Sequence, residues 1–436
     1  MKKFVFFNAL VAALGGFLFG FDTAVISGAE QDIQKLWGLS DLTHGLAVAI
    51  ALYGTVIGSL LAGFPSEVIG RKKTLIIVGF LYLFSALGSA LAPEIYSFMI
   101  FRFLGGLGVG VSSVTAPMYI SEISPAKFRG RLVALFQFNI VLGIMVAFIS
   151  NYLVEGTSEN DWRWMLGIEA FPAFFYGVLV YFIPESPRWL LLHKGNEQAA
   201  KAILAKMDPE SVNESIDAIK ASVIDVKENL FSRKFNKPVI LVFLFAFFNQ
   251  LSGINAIIYF APRIFNAAGL ATDSSLLSTA GIGLVNLVFT LLGMSVIDKV
   301  GRKKLMYFGS VGLMLSLALI AVYISKDFEE IYLFFFIYIG FFAMSQGAVI
   351  WVFIAEIFPN TVRAYGQSFG SFTHWLFAAI IAHVFPYFAN LFIDNQGPIF
   401  GFFGFMMLLQ LLFVWKLMPE TKGLSLEKIQ KILKIE

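Results

Sequence analysis

The chain has 436 residues, 58% hydrophobic and only 14% charged, where a soluble domain carries about 25% charged residues. With 49 Phe and a mean hydropathy of +0.77, no water-soluble core of this length could hide the apolar surface, so a soluble enzyme is excluded and a polytopic membrane protein is expected. A net charge of +3 excludes nucleic-acid binding as the main business, and no Cys with four scattered His leaves no disulfide framework, thiolate nucleophile or metal centre to expect.

A bilayer-spanning helix needs roughly 20 predominantly apolar residues. Twelve such runs occur, from Phe4 to Ile26, Gly45 to Phe64, Thr74 to Leu91, Ser97 to Ile120, Leu132 to Leu153, Trp164 to Ile183, Val239 to Pro262, Leu276 to Ile297, Leu305 to Ile324, Tyr332 to Ile354, Gly366 to Leu391 and Phe400 to Leu417. The first run follows Met1-Lys2-Lys3 like a secretory signal, but it is too long for a signal core and eleven more come after it. All but five of the 32 Lys and Arg fall at the termini or in even-numbered connections. The positive-inside rule then puts both termini in the cytoplasm and the protein in the cytoplasmic membrane. Of the five exceptions, Lys35, Arg163, Arg263 and Lys326 fall in odd connections, and Arg102 lies inside the fourth span. Asp22 and Glu169 are the only acids within spans. Charge at mid-membrane costs at least about 2.5 kcal/mol, so these three residues are functional candidates.

The polar stretch 184–237 separates residues 1–183, the first six spans, from residues 238–418, the second six; residues 419–436 form a cytoplasmic tail. Within the linker Ile216, Ile219, Val223, Val226 and Leu230 recur at helical spacing, which predicts a short amphipathic cytoplasmic helix, with Lys residues available to anionic lipid.

The two halves repeat. Glu67-Val-Ile-Gly70-Arg71-Lys-Lys meets Asp298-Lys-Val-Gly301-Arg302-Lys-Lys at an offset of 231; Glu122, Pro125 and Arg129 meet Glu356, Pro359 and Arg363 at 234. Pro184-Glu185-Ser meets Pro419-Glu420-Thr at 235, and Gly20-Phe-Asp22 meets Gly253-Ile-Asn255 at 233. Six is even, so the copies are parallel, related by an axis along the membrane normal.

Several motifs in order now resemble one family. They are Gly-Gly-Phe-Leu-Phe-Gly-Phe-Asp22-Thr-Ala-Val-Ile-Ser-Gly, the two Gly-Arg-Lys-Lys loops, Arg102-Phe-Leu-Gly-Gly-Leu-Gly-Val-Gly, Pro184-Glu-Ser-Pro-Arg188-Trp-Leu, Gln250-Leu-Ser-Gly-Ile-Asn255 and Pro419-Glu-Thr-Lys-Gly. Together they resemble the sugar porters of the major facilitator superfamily. The resemblance implies an all-α fold of twelve transmembrane helices in two pseudo-symmetric six-helix bundles, with the binding site between them.

Asp22, Arg102 and Glu169 each lie eight residues from an acid in a predicted outer loop, Glu30, Glu94 and Asp161, and so share a depth of roughly 12 Å. An Asp and an Arg in hydrocarbon are tolerated chiefly as a pair, and protonating the Asp breaks it. Such a site can couple a proton to rearrangement. In the family the residues matching Asp22 and Arg102 form the proton-coupling pair of bacterial symporters, and Glu169 matches a further carboxylate of some symporters. The resemblance assigns sugar binding to Gln137, Asn249, Gln250, Asn255, Asn286, Trp351 and Trp375. Amides that donate and accept, set beside aromatic planes, suit the hydroxyls and apolar face of a sugar. Ser252-Gly253 would let span seven kink so that Gln250 and Asn255 converge.

Three positions depart from the pattern: Ile144 replaces a Gln, Gln346 an aromatic near Trp351, and His374 an amide before Trp375, making His374 a substrate-site candidate. At the cytoplasmic face the pseudo-symmetry predicts pairing of Glu122 with Arg363 and Arg129 with Glu356, with Arg71, Glu185, Arg188 and Arg302 around them, as an inner gate. Glu67 and Val68 stand where an Asp and a basic residue are usual, which weakens this corner. The run Gly105 to Gly110 continues a membrane helix with no strand before it and reads as a helix-packing surface rather than a nucleotide loop.

The expected function is proton-coupled uptake of a monosaccharide, hexose or pentose, by alternating access, with no cofactor and no enzymatic step, by a monomer in membrane lipid. A facilitative uniporter and a transporter-like sugar sensor are the rivals. The 19 residues after Leu417 leave the sensor little room for a signalling domain, and the amide-rich site argues against an exporter of hydrophobic compounds.

Overall fold

Hydrocarbon offers the backbone no partner, so a chain of this composition must satisfy its N–H and C=O groups within helices. The computed structural model describes residues 3–125, 127–221, 228–326, 330–359, 361–424 and 426–433. The described residues hold helices and no strand. Twelve helical segments are long and apolar enough to cross a membrane: Lys3–Leu36, Asp41–Leu61, Arg71–Leu91, Ile95–Glu122, Arg129–Val154, Asp161–Phe182, Arg233–Ala267, Thr272–Val300, Arg302–Tyr323, Ile331–Ile357, Arg363–Leu391 and Gly397–Lys416. These are spans one to twelve, and the protein is an all-α polytopic membrane protein.

The chain divides into two compact units. One comprises Met1–Val25, Ile50–Ala147 and Ser158–Val226; the other comprises Ile26–Ala49, Phe148–Thr157 and Lys227–Glu436. The division cuts through spans one, two and five, whereas of the sequence boundaries 183 falls between spans and 238 falls just inside span seven.

In the first unit glycines set the spacing. A Cβ on Gly20 would lie 1.9 Å from the Ile140 carbonyl oxygen, and one on Gly106 would lie 1.8 Å from that of Ala51. Spans one and five, and spans two and four, therefore touch backbone to backbone, and the run Gly105 to Gly110 is a packing surface. In the second unit a cluster including Phe245, Phe353, Ile354, Ile357 and Val414 forms an apolar centre. Ile429 and Leu433 of the terminal helix Leu426–Leu433 pack into it.

Among the described residues three spans are not continuous α-helices. Span six breaks between Asp161–Gly167 and Ala170–Phe182. Span seven breaks between Asn236–Gln250 and Ile254–Ala267, where Gly253 takes φ +86°, and it kinks again at Phe260 ahead of Pro262. Span ten contains a π-helical turn, Ala343–Gly347. Span four carries Pro117 within its helix.

The linker holds three helices, Pro187–Lys194, Glu197–Met207 and Val212–Ala221. Only the last overlaps the predicted amphipathic helix. Ile216 is buried there, and Leu230 joins the apolar centre of the second unit, while Val223 and Val226 lie outside the described residues. Lys201 and Lys220 both reach Glu197, at 2.7 and 2.9 Å, and hold its carboxyl below the usual range.

Candidate functional site

Within the first unit, Arg102 of span four donates from Nη1 to Asp22 Oδ1 at 2.5 Å and from Nη2 to the Asp22 carbonyl at 3.0 Å. Both residues are 1% exposed, as is Glu169. Glu169 sits at the break of span six, close enough to the Asp22 carboxyl for the two to interact, and its Oε1 has no partner among the described residues. Two carboxylates buried close together repel each other unless one carries a proton, so Asp22, Glu169 and Arg102 form a buried site whose charge depends on how many protons it holds. Tyr82 neighbours Asp22 and Glu169, with Tyr176 beside Tyr82, and Ser85 and Asp22 both border Gly105. The shared depth inferred from the sequence brings these residues together, although its landmarks fail. Glu30 is inside the first helix and fully buried, and Asp161 is buried at the start of span six.

Within the second unit the break in span seven turns Gln250 into a hub. Its Nε2 donates to Asn249 Oδ1 at 3.0 Å and lies 3.1 Å from both ring nitrogens of His374, while its Oε1 accepts from Asn255 Nδ2 at 2.6 Å. The break is held by the Ser252 hydroxyl donating to the Asn249 carbonyl at 2.7 Å and by Tyr338 donating to the Ser252 carbonyl at 2.9 Å. Trp351 lies with its ring 5.0 Å from His374, and Trp375 stands edge-on to His374 at 4.6 Å. Asn249 Nδ2 is buried without a partner among the described residues. This cluster combines unspent amide capacity with indole faces and carries no formal charge unless His374 is protonated.

Asn286 on span eight accepts from Thr290 at 3.3 Å. Gln137 is half-buried on span five of the first unit. Gln346, in the π-helical turn, points to a separate polar chain: its Nε2 donates to Gln410 Oε1 at 3.0 Å, and Gln410 donates to Ser310 at 2.9 Å. An aromatic is thus replaced by an amide that finds its own partners.

The two Gly-Arg-Lys-Lys loops build matching clusters. Arg71 makes a two-pronged contact with Glu122, at 3.0 and 3.1 Å, and Arg302 does the same with Glu356, at 3.2 and 2.7 Å. Glu185 accepts from the backbone N–H of Arg71 and Lys72, and Glu420 from those of Arg302 and Lys303. Each carboxylate thereby caps the positive N-terminus of a span. Those helices begin at Gly70 and Gly301, at φ +98° and +99°, where a Cβ would lie 2.3 Å from Glu185 and 2.5 Å from Glu420. Only glycine admits both the conformation and the carboxylate.

Burial raises the Glu185 carboxyl above its usual range, opposed by its backbone donors from Ser186, Lys72 and Arg71. Glu67 is engaged rather than weak: one oxygen meets Arg71 at 3.1 Å, the other His193 at 2.6 Å. Within its own half Arg129 donates to the Ser121 carbonyl and Arg363 to the Phe358 carbonyl, and Arg188 is half-buried on the first linker helix.

Two groups were missed from sequence. Glu420 is one, although its offset of 235 from Glu185 marks it. The other is a buried cluster near the end of span one. Arg263 donates to both oxygens of Glu30, at 3.0 and 2.7 Å, and to Gln34 at 2.5 Å, and His44 Nε2 lies 2.8 Å from Glu30. Its only sequence signal was Arg263, one of the few basic residues in an odd connection.

A family profile described as sugar (and other) transporter matches residues 8–433. The chain is 37% identical to a glucose transport protein of Synechocystis sp. (strain ATCC 27184 / PCC 6803 / Kazusa), over 98% of this chain and 97% of that one. It is 34% identical to the D-xylose-proton symporter of Escherichia coli (strain K12), over 99% and 96%. The partially occluded inward open conformation of the xylose transporter XylE from E. coli superposes with a TM-score of 0.84 at 31% identity, covering 96% of this chain and 100% of that one. With the profile spanning nearly its whole length, the chain belongs to the sugar (and other) transporter family, as a sugar porter of the major facilitator superfamily rather than an enzyme.

Proposed function

We propose that the protein takes up a monosaccharide together with a proton by alternating access, as a monomer in the cytoplasmic membrane with both termini in the cytoplasm. The observation that carries this reading is the fully buried Asp22–Arg102 pair with Glu169 against it. A purely structural ion pair has no need of a second carboxyl, whereas a proton carrier gains a group that can share the proton. Asp22, Arg102 and Glu169 are assigned to coupling. Asn249, Gln250, Asn255, Asn286, Trp351, His374 and Trp375 are assigned to the sugar, with Gln137 in the same role. Arg71, Glu122, Arg129, Glu185, Arg188, Arg302, Glu356 and Arg363 are assigned to control of the cytoplasmic opening. The similarity to glucose and xylose transporters, one of them a proton symporter, supports the substrate class.

The test is sugar-dependent proton movement in proteoliposomes. Adding a transported hexose or pentose outside should alkalinise an unbuffered medium, with proton and sugar entering together. Sugar entry with no accompanying pH change would make the protein a uniporter.

A further inference from the structure

The Glu30 cluster takes no part in the coupling scheme above, yet it is a fully buried titratable site. Glu30 and His44 are both 0% exposed. One carboxylate faces two potential cations, Arg263 through both its oxygens and His44 Nε2 at 2.8 Å. The ring of His44 stands edge-on to Phe260 at 6.0 Å; its Nδ1 has no partner among the described residues, and its Nε2 approaches Glu30 without hydrogen-bond alignment. With His44 neutral and its proton on Nε2, facing Glu30, the cluster has no net charge and Nδ1 keeps a free lone pair. A proton there gives Arg263 and His44 one shared counter-charge, and a buried excess cation is costly.

The relief is built in. The Arg263 side chain is 22% exposed, whereas His44 is 0% exposed. Arg263 also lies just beyond the Phe260 kink and Pro262, so the clasp holds the outer portion of a span that already breaks at Gly253. Other titratable groups on the surrounding elements include Asp41, which meets Gln34 at 3.4 Å and Asn390 at 2.7 Å; Tyr259 on span seven; Asp273 on span eight; Tyr338 on span ten; and His383 and Tyr387 on span eleven. His383 bonds the Leu42 backbone, and Asp32 pairs with Lys35 on the exposed side of span one.

We propose that His44 is a second proton-binding site, separate from Asp22, whose protonation hands the Glu30 carboxylate from Arg263 to the imidazolium and frees the outer end of span seven. The proton comes from the outer water and stays on Nδ1. Acid outside therefore favours release and alkali favours the clasp. The proposal rests on the transport reading for which side is outer, but not for its readout.

The chain lacks native Cys, so Leu36→Cys and Ala267→Cys, both exposed, accept spin labels on spans one and seven. Distances would be measured in nanodiscs at about pH 8 and about pH 5, the window in which an ordinary His changes charge. The short-distance population should be lost on acidification in the labelled parent, in Asp22→Asn and in His383→Gln. His44→Gln should stay short at both pH values, and Glu30→Gln should be long at both. A parent indifferent to pH, a response that survives in His44→Gln, or one abolished by His383→Gln instead would each overturn the proposal. His44→Asn serves if His44→Gln does not fold, with sugar binding as the folding check. Proton-coupled sugar entry without any pH-dependent distance would overturn this site and leave the coupling scheme standing.

Discussion

The two halves share a frame and differ at its centre. At the loops they are near copies: glycine, arginine, two-pronged glutamate and capping glutamate recur with almost the same distances. At the broken spans they part. The position that carries Asp22 in the first half carries Asn255 in the second, and around them one half gathers Arg102 and Glu169 while the other gathers amides, His374 and indoles. The repeat keeps the groups that position helices and differs in its buried polar chemistry, carboxylates with an arginine in one half and amides with indoles in the other. That contrast makes separable predictions.

The largest effect should come from the first half. Asp22→Asn removes the titrating carboxylate and should abolish uphill sugar accumulation under a pH gradient while counterflow remains measurable. Accumulation that persists would move proton coupling away from this half. Next comes the second half. Gln250→Ala strands Asn249, Asn255 and His374, and each buried group left unpaired costs about 1–3 kcal/mol. Sugar affinity in purified protein should fall about 10- to 100-fold, measured by calorimetry, and an unchanged Kd would return the cluster to a helix-packing role.

The smallest effect concerns the shared frame. Arg71 meets a Glu122 side chain only 9% exposed, whereas Arg302 meets a Glu356 side chain 30% exposed. Breaking a buried pair costs about 3–5 kcal/mol and a wetter one less. Arg71→Ala should lower the Tm in detergent more than Arg302→Ala does; equal or reversed losses would erase this difference between the halves.

The spans were legible because hydrocarbon imposes a composition, and Asp22, Arg102 and Glu169 because charge inside such a run stands out. Glu30 did not stand out. A carboxylate after the apolar run is expected in water, and nothing in the spacing says that the helix continues to Leu36 and buries it. The breaks at Glu169 and in span ten were equally silent, since a helix interruption leaves an apolar run just as apolar. The bonding of Gln346 to Gln410 needed the geometry of that turn, because one inserted residue rotates the remainder of the span by about 100° against an α-helical register. Glu420 is within reach of the repeat, since Pro419-Glu420-Thr stands 235 residues after Pro184-Glu185-Ser.

The glycine caps have a consequence for how this chain can vary. Because a carboxylate occupies the space where a Cβ would project, Gly70 is tied to Glu185 and Gly301 to Glu420, more than a hundred residues away in each case. Neither member of a pair tolerates drift alone. A side chain at the glycine expels the acid, and loss of the acid uncaps a membrane helix at the point where it enters the bilayer. The two pairs use the same backbone conformation and the same carboxylate, so each corner is a two-residue unit whose members lie far apart in the sequence.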